Sequence, residues 1–236
     1  MRRDVLVLCY HGISERWPAP TAVTPRRLEQ QLSMLVKRGY RGATFSEALT
    51  APTADRTLVV TFDDAAISVA RLAAPVLQRL GLPGTVFVPT GFPDNGNLMA
   101  WPGQEEWAGT EHEDELACIS WDGLRDLVAR GWEVGSHTRF HPRLTTLTDG
   151  ALEAELSGSR EDCERQLGRR CTSLAYPYSD LDDRVVRAAR EAGYLFAATV
   201  PRESAAPLPL QWPRVGVYRS DTARRLAARI WRRGRR

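Results

Sequence analysis

Two adjacent carboxylates, Asp63 and Asp64, close the run Leu58-Val59-Val60-Thr61-Phe62. Like charges side by side repel, so the pair is costly unless a cation or a proton transfer uses it. The chain has four histidines, and three of them, His11, His137 and His141, directly follow stretches of strand character. His137 and His141 stand four apart in Ser136-His137-Thr138-Arg139-Phe140-His141-Pro142. One turn or a tight loop brings such a pair to one side, and Pro142 disfavours helix at His141 and favours the loop. Two neutral imidazoles with one carboxylate suit Zn²⁺ or another divalent transition ion and leave positions for water and substrate. No Glu follows His137, which excludes the HExxH protease signature. One Asp can then bind the ion while its neighbour takes a proton from an acidified water, and His11 can protonate a leaving group. Taken singly, the carboxylates could be a solvated helix-capping turn and the histidines buried hydrogen-bonding groups. The combination is far more specific than its parts.

These residues need a scaffold that gathers strand ends. An all-apolar run such as 58–62 reads as a strand buried on both faces, as in a parallel sheet, whose carboxyl ends carry the chemistry. Strands are predicted over 5–10, 40–45, 58–62, 84–89, 132–136, 171–176, 195–200 and 215–218. Between them lie a helix from the Thr24-Pro25 start to about 38, a brief helix capped by Ser46, and helices over 67–80, 120–130, 148–167 and 181–192. A last, basic helix covers about 222–233. Caps such as Thr24, Ser120 and Thr148, and stops such as Gly39, Gly81 and Gly131, mark the boundaries. About seven alternations of strand and helix argue for an α/β fold with a parallel sheet. No repeat or linker divides the chain, so residues 1–236 are expected to form a single catalytic domain. Residues 91–119, rich in Gly, Pro, Trp and acidic side chains, are too long for an ordinary connection.

The 236 residues suffice for one barrel-type domain, and no apolar run reaches membrane-spanning length. Val5-Leu6-Val7-Leu8-Cys9 is too short for a signal-peptide core and leads into His11, so it reads as the first strand, and a cytoplasmic location is expected. Cys9, Cys118, Cys163 and Cys171 lack paired CxxC spacing and read as free thiols, with a Cys163–Cys171 disulfide the lesser alternative. The net charge of +3 is split: from 219 to 236 there are eight Arg and one Asp. That tail reads as a solvated terminal helix, with weak contact to an anionic membrane surface or an acidic glycan as the alternative. Nothing else suggests nucleic acid as a partner.

Thr61-Phe62-Asp63-Asp64, with Ser136-His137-Thr138-x-x-His141-Pro142 downstream, resembles the polysaccharide deacetylases of the NodB-homology type (carbohydrate esterase family four), over roughly 5–218. The resemblance implies a distorted (β/α) barrel of about seven parallel strands and metal-dependent hydrolysis of N-acetyl groups on a carbohydrate substrate. It makes Asp63 the base and gives the metal to Asp64, His137 and His141. The metal is expected to be zinc, with iron, cobalt, nickel and manganese also compatible with the donor set. Leu174-Ala175-Tyr176-Pro177-Tyr178 resembles the family's third motif, in which the backbone N–H of Tyr178 would help hold the oxyanion. Tyr10-His11-Gly12-Ile13 resembles the permuted branch that includes poly-N-acetylglucosamine deacetylases, where the general-acid His precedes the Asp pair.

Several positions depart from the pattern. The Gly that commonly follows Asp-Asp is Ala65, the Gly after Tyr-Pro-Tyr is Ser179, and the Arg of the third motif is missing. Trp212-Pro213-Arg214 resembles a late motif that would pair Arg214 with Asp63. By sequence, however, Arg214 begins the last strand, at the end remote from the site unless the loop folds back. Trp101, Trp107 and Trp121 border the long segment and are expected to pack rather than to stack on sugars. The expected activity is carbohydrate N-deacetylation releasing acetate. Its alternatives are deacetylation of a small or lipid-linked sugar in the cytoplasm, or a metal-bearing carbohydrate-binding protein without turnover.

Overall fold

The computed structural model describes residues 4–51, 55–201 and 205–233. Arg2 and Arg3, the last three residues of the basic tail and part of the Pro-rich loop before Trp212 lie outside them. Strand β1 (Asp4–Tyr10) pairs in parallel with β3 (Arg56–Phe62) along its whole length, from Asp4 opposite Arg56 to Tyr10 opposite Phe62. The sheet continues through β4 (Thr85–Val88), β5 (Glu133–Ser136), β6 (Ser173–Ala175), β7 (Phe196–Thr199) and β8 (Trp212–Pro213). On the other side of β1 lies β9 (Val215–Gly216), and the two-residue β2 (Arg41–Gly42) pairs with the start of β3. Every one of these pairings is parallel.

The two ends of the sheet, β8 and β9, are separated in sequence by Arg214 alone. Trp212 and Pro213 pair with Ala198 and Thr199 of β7, while Val215 and Gly216 pair with Leu8 and Cys9 of β1. One short segment therefore joins both open edges and curls the sheet into a nearly closed barrel, which removes the edges that would otherwise invite association. Alternation along the strands sorts the side chains. Leu6, Leu8, Tyr10, Leu58, Val60 and Phe62 face the surrounding helices. Val7, Val59, Phe87, Ala175 and Ala198 fill the interior.

The helices are α1 (Pro25–Val36), α2 (Phe45–Thr50), α3 (Ala74–Arg79), α4 (Trp121–Ala129), α5 (Asp149–Leu167), α6 (Asp183–Glu191) and α7 (Ala223–Arg233). Thr24, Ser120 and Thr148 cap α1, α4 and α5 as the sequence predicts. Several ends shift by a residue or two, and three departures have a local cause. The strand expected over 40–45 shrinks to Arg41–Gly42, because Thr44 forms a capping box with Glu47 and starts α2 one residue before Ser46. Helix 67–80 opens as a π turn, Val69–Ala73, ahead of Pro75, whose missing N–H cannot close an α-helical bond. Trp212 and Pro213 are strand rather than loop. Helix α2 plugs the barrel floor: Phe45 and Ala48 enter the interior, and Glu133 accepts hydrogen bonds from the Ser46 N–H and the Ser46 and Ser173 hydroxyls. The basic tail helix packs on α1, with Leu226 and Ala227 buried. No described helix is long and apolar enough to cross a membrane.

Candidate metal centre and its proton-transfer groups

A column of contacts rises through the barrel from the floor to the carboxyl ends of the strands. Phe45 meets Phe87 edge-on, 5.6 Å between ring centroids, and the Arg214 guanidinium lies 5.5 Å above the Phe87 ring. Gly135 makes room for that ring, since a Cβ there would stand 2.8 Å from it. Arg214 is 1 % exposed. Its two terminal nitrogens reach Asp63 as a fork, Nη1 to Oδ1 at 2.6 Å and Nη2 to Oδ2 at 2.7 Å, and Nη1 also donates to Thr61 Oγ1 at 2.9 Å. The sequence placed Arg214 at the remote end of its strand. The structure resolves this without a loop folding back, because the long side chain climbs inside the barrel. Burial alone would raise the pKa of Asp63, but the Arg214 charge, His137 and the Arg214 hydrogen bonds outweigh it and hold the carboxyl well below the usual range. Cys9, which sequence reading left idle, adds a contact from its thiol to Asp63 Oδ2 at 3.4 Å. Its position two residues before His11 on the same strand face was the available signal.

Asp64, His137 and His141 are all buried and offer ligand atoms within 4.8 Å of one another. Asp64 Oδ1 lies 3.4 Å from His137 Nε2 and 3.5 Å from His141 Nε2, and as a buried oxygen it has no hydrogen-bond partner among the described residues. His137 Nδ1 is 2.7 Å from the Ala175 carbonyl, the contact that fixes the tautomer and turns Nε2 inward. This donor set fits a divalent ion. Without one, the two imidazoles compete for a single carboxylate. For His137, burial lowers the pKa but Asp64 and Asp63 outweigh it and raise it. For His141, burial and then His137 lower it to about 3. Burial likewise opposes ionisation of Asp64, while the close approach of His137 and the charges of the neighbouring histidines lower its pKa.

The loop carrying the histidines is not a helical turn. Thr138 and His141 both adopt left-handed backbone, with φ of 65° and 58°. The conformation is held from outside: Glu155 of α5 accepts from the N–H groups of Arg139 and Phe140, and Thr90 and Gly91 donate to the carbonyls of Thr138 and Arg139. Nothing in the sequence singled out Glu155, which lies within a long polar helix. Asp64, Ala65, Tyr178 and Ser179 are also left-handed, at 68°, 54°, 57° and 52°. Strained backbone thus gathers at this end of the barrel. At Asp64 and Ala65 the clamp is the long segment 91–119, whose Ala117 and Ile119 bond to Ile67 and Ala65.

Trp101 packs, as expected, and its partner is the ring of His141, stacked at 4.0 Å with 17° between planes. Trp121 is buried and Trp107 packs edge-on against Trp17. Tyr178 stands on the other side of His141, its ring 4.6 Å away, in the turn after β6. His11, half-buried at the end of β1, lies beside Asp63 and leaves Nδ1 without a partner among the described residues. The four cysteines are free thiols, Cys163 and Cys171 included.

Strand-end carboxylates, a facial histidine pair and this barrel define a protein class. The sequence profile of the polysaccharide deacetylase family matches residues 50–197, and the chain belongs to that family. Among solved structures, the deacetylase PplD of Streptococcus pyogenes superposes with a TM-score of 0.81 at 23 % identity, over 95 % of this chain and 97 % of that one. IcaB from Ammonifex degensii does so at 0.75 and 27 % identity, over 98 % and 97 %. The poly-beta-1,6-N-acetyl-D-glucosamine N-deacetylase of Staphylococcus aureus is 21 % identical across 79 % of this chain and 63 % of its own length. The chain thus spans about 63 % of the curated relatives it matches over most of its own length.

Proposed function

We propose that the protein is a metal-dependent carbohydrate N-deacetylase that hydrolyses acetamide groups on an N-acetylglucosamine-containing glycan and releases acetate. The observation that carries the reading is the juxtaposition of Asp63, held ionised by Arg214, with His11 and the Asp64–His137–His141 cluster at one mouth of the barrel. A divalent ion held by that cluster would supply Lewis acidity, polarising the acetamide and lowering the pKa of water at the site. Asp63 accepts a proton from the attacking water. Arg214 keeps this carboxylate charged and weakly basic, so the transfer depends on a water already acidified. The Tyr178 N–H, in the left-handed turn after β6, is assigned to the oxyanion of the tetrahedral intermediate. His11 delivers a proton to the departing amine, and the acetate leaves. The relative named for poly-β-1,6-N-acetylglucosamine supports the sugar class.

The test is acetate release from N-acetylglucosamine oligomers and monosaccharide conjugates, with metal-loaded and chelator-stripped protein compared. Metal-dependent release, lost in Asp63→Asn with metal content retained, is the expected result. Full activity in Asp63→Asn would overturn the base assignment, and glycan binding without release from any substrate would replace the enzyme with a binding protein.

A further inference from the structure

Beside the Asp64–His137–His141 cluster stands a second trio of potential ligands. Cys9 Sγ, a ring nitrogen of His11 and a carboxylate oxygen of Asp63 all lie within 4.8 Å of one another. The parallel register explains the grouping. Cys9 is paired with Thr61 and faces inward, so the next inward level brings His11 and Asp63 side by side. The thiol is already 3.4 Å from Asp63 Oδ2, and the buried His11 Nδ1 has no partner among the described residues. Thiolate, imidazole and carboxylate together form a borderline-soft set that zinc accepts at tetrahedral distances. Arg214 does not block it. Its fork uses one lone pair on each Asp63 oxygen and leaves another on each. Burial keeps the thiol protonated, with the Arg214 charge opposing it and Asp63 adding to it, so the ion must displace the thiol proton.

We propose that Cys9, His11 and Asp63 form a second, inhibitory site for a thiophilic divalent ion of the zinc and cadmium class. Binding forms a sulfur–metal bond and releases the thiol proton to solvent, with no change in oxidation state. The ion then occupies both groups assigned to proton transfer, so an excess of the metal that activates the protein also stops it. The inhibition rests on the roles given to Asp63 and His11 above. The binding does not.

Cobalt(II) is the probe, because a cobalt–thiolate bond gives a near-ultraviolet charge-transfer band that oxygen and nitrogen ligands do not. The chelator-stripped full chain is titrated with cobalt. The first equivalent should give visible ligand-field bands alone, and the second should add the charge-transfer band. In Cys9→Ala the first spectrum should persist and the second band vanish, whereas Cys118→Ala, which removes the half-buried thiol of the long segment, should keep both. Cys9→Ser keeps a donor toward Asp63 and serves if the alanine variant does not fold. His11→Ala should weaken the second equivalent by at least about tenfold, since loss of even an outer-shell partner costs 10–100-fold. Absence of the band at saturating cobalt, or its survival without Cys9, overturns the site. If acetate release is measurable, zinc beyond one equivalent should inhibit the wild type, and Cys9→Ser should need about tenfold more zinc. If no substrate is turned over, the cobalt band still decides the site.

Discussion

Replacing Arg214 by Met keeps an unbranched side chain inside the barrel and deletes the charge. The Asp63 partner it leaves is 6 % exposed at its side chain, and Arg214 itself 1 %, so water cannot take over the fork. Removing one member of a buried ion pair costs about 3–5 kcal/mol. At about 2–4 °C per kcal/mol for a chain of this size, Tm should fall by about 6–20 °C near pH 7. The sign with pH follows from Asp63. In the wild type its folded pKa is depressed, so the stabilisation is complete above the unfolded value of about 4 and is lost only as pH falls through the lower folded one. In the variant burial is opposed only by His137 and His11, so the folded pKa rises and the deficit opens as pH rises through it. The gap in Tm should therefore be wide at neutral pH, begin to narrow as pH falls below about 4, and close only as pH falls on through the depressed folded pKa of wild-type Asp63. Adding Asp63→Asn should recover most of the loss, because the remaining pair is neutral. Thermal unfolding of metal-free protein by circular dichroism, across pH, measures all three chains. A neutral-pH gap under about 2 °C, or one that does not change with pH, refutes the argument.

Two further outcomes follow from the backbone and its clamps. Ala65→Gly should raise Tm by about 2–4 °C, the return of about 1 kcal/mol of left-handed strain, whereas Ser179→Gly should gain less because Ser179 Oγ accepts the Val200 N–H at 2.7 Å. A fall in Tm for Ala65→Gly counts against strain at that turn. Glu155→Ala should weaken zinc binding by about 10–100-fold in a competitive chelator titration, by freeing the Arg139 and Phe140 N–H groups and loosening the histidine loop. Unchanged zinc affinity would show that the loop holds its shape without the clamp.

The strand that ends in Asp63-Asp64 was legible because its apolar run is continuous and its pairing leaves both faces buried, which composition alone announces. His137 and His141 were legible as a pair for the same local reason, spacing. Arg214 was readable as a residue and misplaced as a position: Pro213 and the Pro-rich stretch before it read as loop, while β8 exists only through non-local pairing with β7. Glu155 was invisible because its partners are backbone N–H groups of a loop whose shape no sequence pattern states. Cys9 could have been found by period-two alternation from His11. Ala65 and Ser179, read as minor departures, lie where the backbone turns left-handed, so a missing glycine there carries conformational meaning.

The segment 212–216 both seals the barrel and delivers Arg214, which ties the chemistry to the order of folding. Asp63 and Arg214 are 151 residues apart, so the carboxylate waits in an unfinished sheet until residues 212–216 have been synthesised. Until then β1 and β7 keep free edges, and Asp63 remains hydrated and close to an ordinary acid. Docking of the last strand must meet a long loop-closure cost, which makes it a slow step. The same event removes the edges, dries the interior and lowers the pKa of Asp63. A nascent chain stalled before residue 212 would thus hold every metal-cluster residue and still lack a prepared base.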